Sequence, residues 1–199
     1  APRIPTCGSF STARMPRVRE AGDSALLLEV GATHLSPGHA GLDWSVTARA
    51  VGIAADIRRR AIPGVCDVVS TFRSVAVCFD PLSIDVAAVA AALHDASEAL
   101  SSDVGVGFER LIEITVIYGG EFGPDLDEVA AFAGCTPQEV IDRHASRTYR
   151  VFMLGFLPGF PYMGSVVETI AAPRRTTPRV RVPAGSVGIA EAQTGVYSV

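Results

Sequence analysis

Glycine and proline interrupt residues 155–164 so densely that neither a regular helix nor a central strand can form there. Three glycines and two prolines fall within these ten residues, which also carry three aromatic side chains, one leucine and one methionine. Apolar groups in an irregular loop need cover from water. The segment therefore either folds over the core of its own domain or lines a groove for a ligand or partner. The candidate groove residues are Phe156, Pro158, Gly159, Phe160 and Tyr162.

The rest of the second half predicts short strands punctuated by glycine and proline, which is typical of a compact barrel or sandwich. Residues 111–118 alternate well enough for a strand, and residues 149–154 predict another. Pro124 opens a short helix over 125–133. Thr136 and Glu139 form a capping box for a second helix that ends near residue 146.

The first hundred residues predict two units, each a hairpin followed by a helix. The predicted strands are 17–21, 25–30, 65–70 and 74–79, and the predicted helices are 43–60 and 83–100. The buried stripe expected on the second helix is Ile84, Ala87, Ala88, Ala91 and Leu100. Together the units indicate a small α/β sandwich with both helices on one face of the sheet.

Proline, glycine and small residues indicate where the chain divides. Residues 1–14 are expected to form a disordered leader, and the Gly-containing stretch 101–107 is the linker candidate. The expected domains are therefore 15–104 and 105–199.

Every one of the 17 basic residues is arginine, so the chain contains no lysine. A Walker A lysine, a Schiff base to pyridoxal phosphate and a biotinyl attachment site are thereby excluded. If the chain handles ATP, it does so by another route or with another subunit. The net charge of −4 argues against a nucleic-acid or membrane-surface partner, and no 18-residue apolar run indicates a membrane span.

The charge is unevenly distributed along the chain. Residues 1–142 carry ten arginines against nineteen acids, whereas residues 143–181 carry seven arginines against one acid. On a strand, Arg179 and Arg181 would point to the same side, an arrangement that suits a carboxylate or phosphate. Gly185 and Ser186 could offer backbone N–H groups and a hydroxyl nearby. The alternative is that both arginines pair with the protein's own acids or face solvent.

His144 lies in the last turn of its predicted helix, where a protonated histidine is favoured by the helix dipole. The alternative role is general acid or base chemistry beside the aromatic loop. Glu121, Asp125 and Asp127 either hold Mg²⁺ with a substrate phosphate or serve as acids at a helix start.

The four cysteines, residues 7, 66, 78 and 135, show no CxxC pair and no histidine at metal spacing, so no metal site is predicted. They predict reduced, mostly buried thiols in a cytoplasmic protein.

Four stretches in order carry a specific resemblance: YGGEFGPDL at 118–126, YRVFMLGFLPGFPY at 149–162, PRVRVPAGSVGI at 178–189 and QTGVY at 193–197. They resemble the family of the 5-oxoprolinase B subunit, also called the KipI family or allophanate hydrolase subunit 1, with carboxyltransferase subdomains C and D. The resemblance covers about residue 15 to the end. It implies an α+β fold, in which a small α/β sandwich precedes a cyclophilin-like β-barrel. Because the family continues past the last motif, the barrel is expected to be incomplete at the C-terminus.

The resemblance implies the B-type component of an ATP-dependent hydrolase that opens 5-oxoproline to glutamate. Such a chain works with a homologous, KipA-like C-type component and a third subunit, is inactive alone, and uses ATP with Mg²⁺ in the assembled complex. The residues expected to be catalytic are His144, Arg179 and Arg181, and the groove is expected to include Arg150 and Gln193 as well. The alternatives are a KipI-like regulator that binds and inhibits a histidine kinase, or an allophanate or urea-amide hydrolase component. A stand-alone isomerase rests on fold analogy alone.

Overall fold

The computed structural model describes residues 17–31, 42–100 and 110–198 of the chain. The expected leader over 1–14 and the expected linker over 101–107, with its domain boundary between residues 104 and 105, lie outside these ranges. None of the helices within them combines the length and the apolar character needed to cross a membrane.

The first region is a four-stranded antiparallel sheet built from two hairpins. Its strands are β1 (Arg17–Glu20), β2 (Ala25–Glu29), β3 (Val65–Ser70) and β4 (Ser74–Phe79), in the order β1-β2-β4-β3. Because β2 and β4 pair with each other, the two hairpins form one continuous sheet.

Two helices cover this sheet, α1 (Trp44–Arg60) and α2 (Val86–Ala99). Each begins at an aspartate whose carboxylate accepts from backbone N–H groups of the first turn: Asp43 from Ser45 at 2.9 Å, and Asp85 from Ala87 at 3.0 Å. Both helices pack into the same buried cluster with residues of β2, β3 and β4. The predicted arrangement of two hairpins and two helices on one sheet face is thus confirmed.

The buried stripe predicted for α2 is confirmed at its two ends, where Ile84 and Leu100 pack against the core, and wrong for the three alanines between them. Ala87, Ala88 and Ala91 are exposed, whereas Val89 and Leu93 are completely buried. The Asp85 cap starts the helix at Val86, and the larger apolar side chains then occupy the positions that face the sheet.

The second region combines two helices with a second four-stranded antiparallel sheet. The elements are α3 (Leu126–Ala133), α4 (Pro137–Ala145), β5 (Arg150–Leu154), β6 (Pro161–Gly164), β7 (Val187–Ala190) and β8 (Gln193–Val196). The strand order is β5-β6-β8-β7, and the predicted capping box of Thr136 and Glu139 starts α4. The prediction that no central strand forms within 155–164 is wrong for β6, which pairs with both β5 and β8 and carries its proline at the first position, where a strand tolerates one. Barrel closure requires the outer strands to pair, but β5 and β7 do not pair in the described structure. The closed, cyclophilin-like barrel therefore stays a prediction.

The predicted strand over 111–118 is wrong for the described structure, because these residues belong to no sheet. A strand requires a neighbouring strand for its backbone hydrogen bonds, and no described strand pairs with this one. Its large apolar side chains are correspondingly exposed: Leu111 by 73%, Ile112 by 63%, Ile114 by 54% and Ile117 by 68%.

Aromatic side chains join the two regions. Phe152 of β5 packs edge-on against Trp44 at the start of α1, with ring centroids 5.8 Å apart. Phe72, in the turn between β3 and β4, lies 5.7 Å from Tyr162 of β6. The Arg150 guanidinium stacks over the Trp44 ring at 4.2 Å, a cation–π contact.

The prediction of mostly buried thiols is wrong for the described cysteines. Cys66 is exposed, whereas Cys78 and Cys135 are half-buried, and all three are free thiols. Cys66 lies at an irregularity in the β3–β4 register, where Asp67 rather than Cys66 stands opposite Cys78.

Candidate functional site

An open groove of about 160 Å³ lies on the second sheet, between strands β7 and β8 and the irregular turn that follows β5. Its walls combine four aromatic rings with strand residues and three polar side chains. The aromatic residues are Phe156, Phe160, Tyr162 and Tyr197, the strand residues are Gly188, Ile189, Ala190 and Gly195, and the polar residues are Arg174, Gln193 and Thr194.

Edge-to-face contacts hold the aromatic wall together. The largely buried Phe160 lies 4.9 Å from Tyr162 and 5.1 Å from Tyr197, measured between ring centroids. Phe156 contacts Phe160 at 5.7 Å yet remains 72% exposed. Its backbone adopts a φ of 65°, a conformation that costs a side chain other than glycine about 1–2 kcal/mol. Strain of this kind concentrates at ligand sites.

Gly195 allows the aromatic wall to approach the sheet. A Cβ atom at this position would lie 2.5 Å from Cζ of Phe160 and 3.0 Å from the carbonyl oxygen of Pro161. Any side chain would therefore push Phe160 out of place. Gly188, directly opposite on β7, has no such neighbour, because its nearest contact would be Tyr197 at 3.7 Å.

His144 lies behind the groove, in the last turn of α4, and is buried. Its Nδ1 atom is 2.6 Å from the Tyr118 hydroxyl, and its Nε2 atom is 3.2 Å from Oγ1 of Thr194. Thr194 Oγ1 in turn donates to the carbonyl oxygen of Gly188 at 3.0 Å. We call Tyr118, His144 and Thr194 the relay. Thr194 lies between His144 and the groove.

Burial favours the neutral forms of both ring side chains of the relay. Burial lowers the pKa of the His144 imidazole and raises the pKa of the Tyr118 phenol. The Tyr149 hydroxyl donates to the His144 backbone carbonyl at 2.9 Å, and burial is the main cause that raises the pKa of this phenol as well. The protonated histidine expected at a helix end is thus disfavoured here.

The structure does not place Arg179 and Arg181 side by side on a strand, so that prediction is wrong. Residues 171–186 contain no strand, since Pro178 and Pro183 lack the N–H donors that a ladder needs. Arg179 instead forms a two-point ion pair with Asp125, the residue that precedes α3.

Arg175 extends this ion-pair cluster. Its Nη1 atom donates to Asp125 at 2.8 Å and to Glu128 at 2.7 Å. The hydrogen bond from Arg179 is the main cause that lowers the pKa of Asp125. Arg179 therefore pairs with one of the protein's own acids rather than standing free for a ligand anion.

Arg174 is the arginine that lines the groove. It is exposed, and it forms no hydrogen bond or ion pair with any described residue. Arg181 is also exposed and without a partner among the described residues, but it lies outside the groove lining. The structure thus offers one unpaired guanidinium to a ligand in the groove.

The other predicted groove residues divide into two groups. Phe156, Phe160, Tyr162 and Gln193 line the groove. Four of the remaining residues support the groove. The carbonyl oxygen of Pro158 accepts from the Ser198 hydroxyl, Gly159 adopts a φ of 78° in the turn, and Gly185 and Ser186 form backbone hydrogen bonds with Tyr197. Arg150 lies elsewhere, stacked on Trp44.

Sequence reasoning missed Arg174, Thr194, Tyr197 and Tyr118. A signal existed for each, since Arg174 belongs to the basic block and the other three lie within the motifs that carry the resemblance. In the described ranges, no group of three or more His, Cys, Asp or Glu side chains could hold a metal ion. Asp125 is held by arginines instead.

Comparison with known proteins matches residues 16–199 to the family described as carboxyltransferase domain, subdomain C and D. The B subunit of 5-oxoprolinase from Bacillus subtilis is 38% identical over 194 residues, covering 92% of this chain and 77% of that protein.

Two solved structures share the fold. TTHA0988 has a TM-score of 0.71 at 31% identity, with 91% of this chain and 32% of that chain covered. Kluyveromyces lactis urea carboxylase has a TM-score of 0.64 at 18% identity, with 98% of this chain and 18% of that chain covered. This second likeness concerns the fold alone.

The motifs, the matched range and the identity to a component of 5-oxoprolinase agree. The chain belongs to the family of carboxyltransferase domains with subdomains C and D, among the relatives of the 5-oxoprolinase B subunit.

Proposed function

We propose that this chain is the B-type component of an ATP-dependent amidohydrolase that opens 5-oxoproline to glutamate. The name of the Bacillus subtilis relative supports a role as part of a hydrolase. The observation that carries the proposal is the groove, which places an unpaired guanidinium beside aromatic rings and two neutral polar side chains.

Each part of 5-oxoproline finds a matching group in the groove. Its carboxylate suits Arg174, since a guanidinium binds carboxylates with two parallel hydrogen bonds. Its five-membered ring suits the aromatic wall around Phe160. Its amide suits Gln193 and Thr194, which supply the neutral polar groups.

The groove is a poor match for ATP and Mg²⁺. The sequence has no lysine for the phosphates, and a groove of about 160 Å³ is small beside the roughly 300–1,000 Å³ of typical cofactor sites. The described acids also offer no cluster of three metal ligands. We therefore propose that a homologous, KipA-like C-type component and a third subunit supply the nucleotide site, and that this chain alone is inactive.

The test is ATP hydrolysis by the chain co-expressed with its neighbouring subunits, measured with and without 5-oxoproline. We expect turnover that requires both the lactam and this chain. Arg174→Gln should raise the KM for 5-oxoproline at least tenfold, because the carboxylate loses a charged partner. Arg181→Gln is the matched control, since this guanidinium lies outside the groove lining.

The result can also contradict the assignment. If Arg181→Gln impairs turnover and Arg174→Gln does not, the substrate anion binds where the sequence alone suggested. If no assembly hydrolyses ATP in response to 5-oxoproline, the proposed reaction is wrong.

A second candidate function is a KipI-like regulatory module that binds another protein. The exposure of Leu154 and Phe156 beside the groove favours it, because such apolar groups suit a protein partner. Dependence of ATP turnover on the lactam separates the two functions.

A further inference from the structure

We propose that the relay of Tyr118, His144 and Thr194 has one fixed direction, which leaves the Thr194 hydroxyl oxygen as a hydrogen-bond acceptor facing the groove. His144 is then a positioning residue rather than the general base. The identity of the matching ligand group, an amide N–H, rests on the proposed function, whereas the direction of the relay does not.

The direction follows from the Gly188 carbonyl, which can only accept a hydrogen bond. The single hydroxyl proton of Thr194 is therefore committed to that carbonyl, at 3.0 Å. At the contact of 3.2 Å between Thr194 Oγ1 and His144 Nε2, the nitrogen must consequently be the donor.

The same argument continues to the other side of the ring. A neutral imidazole carries one N–H, so Nδ1 of His144 is left as an acceptor, and the Tyr118 hydroxyl donates to it at 2.6 Å. Tyr149, which packs 5.1 Å from the ring, uses its hydroxyl on the His144 backbone carbonyl. No carboxylate among the described residues hydrogen-bonds the ring, and burial lowers its pKa, so nothing there favours the charged form.

The consequence for the groove concerns the remaining lone pair of Thr194. A hydroxyl oxygen has two acceptor sites, of which His144 occupies one. Thr194 lines the groove, so the second site can accept from a ligand that carries an N–H donor. A lactam carries such a donor, whereas an N-alkylated lactam does not. Both ring nitrogens of His144 are already occupied, so the ring holds Thr194 in place and takes no proton from substrate.

The direct test is a long-range ¹H–¹⁵N correlation spectrum of the imidazole rings in the ¹⁵N-labelled chain, with His144 assigned through its backbone connectivities. We expect the neutral ring with the proton on Nε2. Thr194→Val should then give a mixture of both tautomers, because Nε2 loses its acceptor and the Tyr118 hydroxyl can either donate to Nδ1 or accept from it. The matched control is Tyr149→Phe, which removes a hydroxyl bonded to the backbone and should leave the tautomer unchanged.

A proton on Nδ1, or a charged ring at pH 7, would overturn the relay direction. So would equal effects of Thr194→Val and Tyr149→Phe on the tautomer. The spectra require no enzymatic activity, so they test the direction of the relay even if 5-oxoproline is not the substrate.

The ligand group is tested in the co-expressed assembly. We expect Thr194→Val to raise the KM for 5-oxoproline about tenfold, the scale of one lost hydrogen bond, whereas Thr194→Ser should retain most of the affinity. As a competitive inhibitor of 5-oxoproline turnover, N-methyl-5-oxoproline should bind the wild type and Thr194→Val equally weakly. Unchanged KM in Thr194→Val would overturn the acceptor role, whereas absence of lactam-dependent turnover in the wild type would instead overturn the proposed function.

Discussion

The two regions differ in how they hide apolar side chains. In the first region, fifteen buried residues from the sheet and both helices form one continuous cluster. In the second region, the corresponding cluster around α3 and α4 contains only four buried residues. Of the twelve large apolar side chains exposed in the described ranges, ten belong to the second region.

This difference indicates a division of labour. Each large side chain buried in the first region contributes about 1.5–3 kcal/mol, so that region is stabilised by its own core. The second region is organised by directional contacts, namely the relay, the arginine–carboxylate cluster and the aromatic wall. Directional contacts position functional groups, and the apolar surface left exposed suits recognition.

The largest expected effect comes from the core of the first region. Leu93 of α2 is completely buried, so Leu93→Ala should lower the free energy of unfolding by about 2–5 kcal/mol. Phe132→Ala on α3 is the counterpart in the second region; its ring is 54% exposed, and the change should stay within about 0.5 kcal/mol. Chemical denaturation measures both. Equal losses would show that the two regions do not differ in this way.

A smaller effect is expected where the aromatic wall packs closely against β8. Gly195→Ala places a methyl group against Phe160 and should lower the free energy of unfolding by about 1–3 kcal/mol, since the ring must move. Gly188→Ala, the matched control, has room for the added methyl. Thermal unfolding compares the two variants. The close packing of the aromatic wall would be refuted by two variants of equal stability.

The smallest effect is expected from the ion pair of Arg179 with Asp125, because both side chains remain more than one third exposed and solvent screens their attraction. Arg179→Ala should lower Tm slightly, and the difference should shrink in about 1 M salt, where the Debye length is about 3 Å.

This ion pair also has a defined pH dependence. The pKa of Asp125 is lower in the folded than in the unfolded state, so its stabilisation is present above about pH 4 and fades as pH falls through the folded value. Arg181→Ala, which removes an unpaired guanidinium, is the control. A Tm loss equal to that of Arg179→Ala would contradict the structure.

Local chemistry made the elements of the first region predictable. The Asp43 cap of α1 and the alternation in β2 and β4 each act within a few residues, whereas the Asp85 cap, which starts α2 three residues later than predicted, was missed. The helix faces were less predictable. Alanine is apolar enough to fit a stripe, but only tertiary packing decides that Val89 and Leu93 face the sheet and Ala88 does not.

In the second region, prediction failed where the partner lies far away in the chain. Residues 111–118 have the composition of a strand, but a strand exists only with a neighbour. The spacing of Arg179 and Arg181 suggested a shared anion, whereas Asp125, more than fifty residues earlier, holds Arg179. Phe156 and Phe160 were predictable because glycine and proline exclude regular structure around them, whereas Tyr162 lies in a central strand, and Tyr197 and Arg174 were missed.

The contact between the two regions also gives the chain an optical property. Trp44 is the only tryptophan in the sequence, and it lies against Phe152 and under the Arg150 guanidinium. Its intrinsic fluorescence is therefore sensitive to this junction, since a neighbouring cation and ring alter indole emission. Separation of the regions would expose the indole to water and shift its emission to longer wavelength while both sheets remain folded. The fluorescence of Trp44 would thus report any separation of the two regions without an added label.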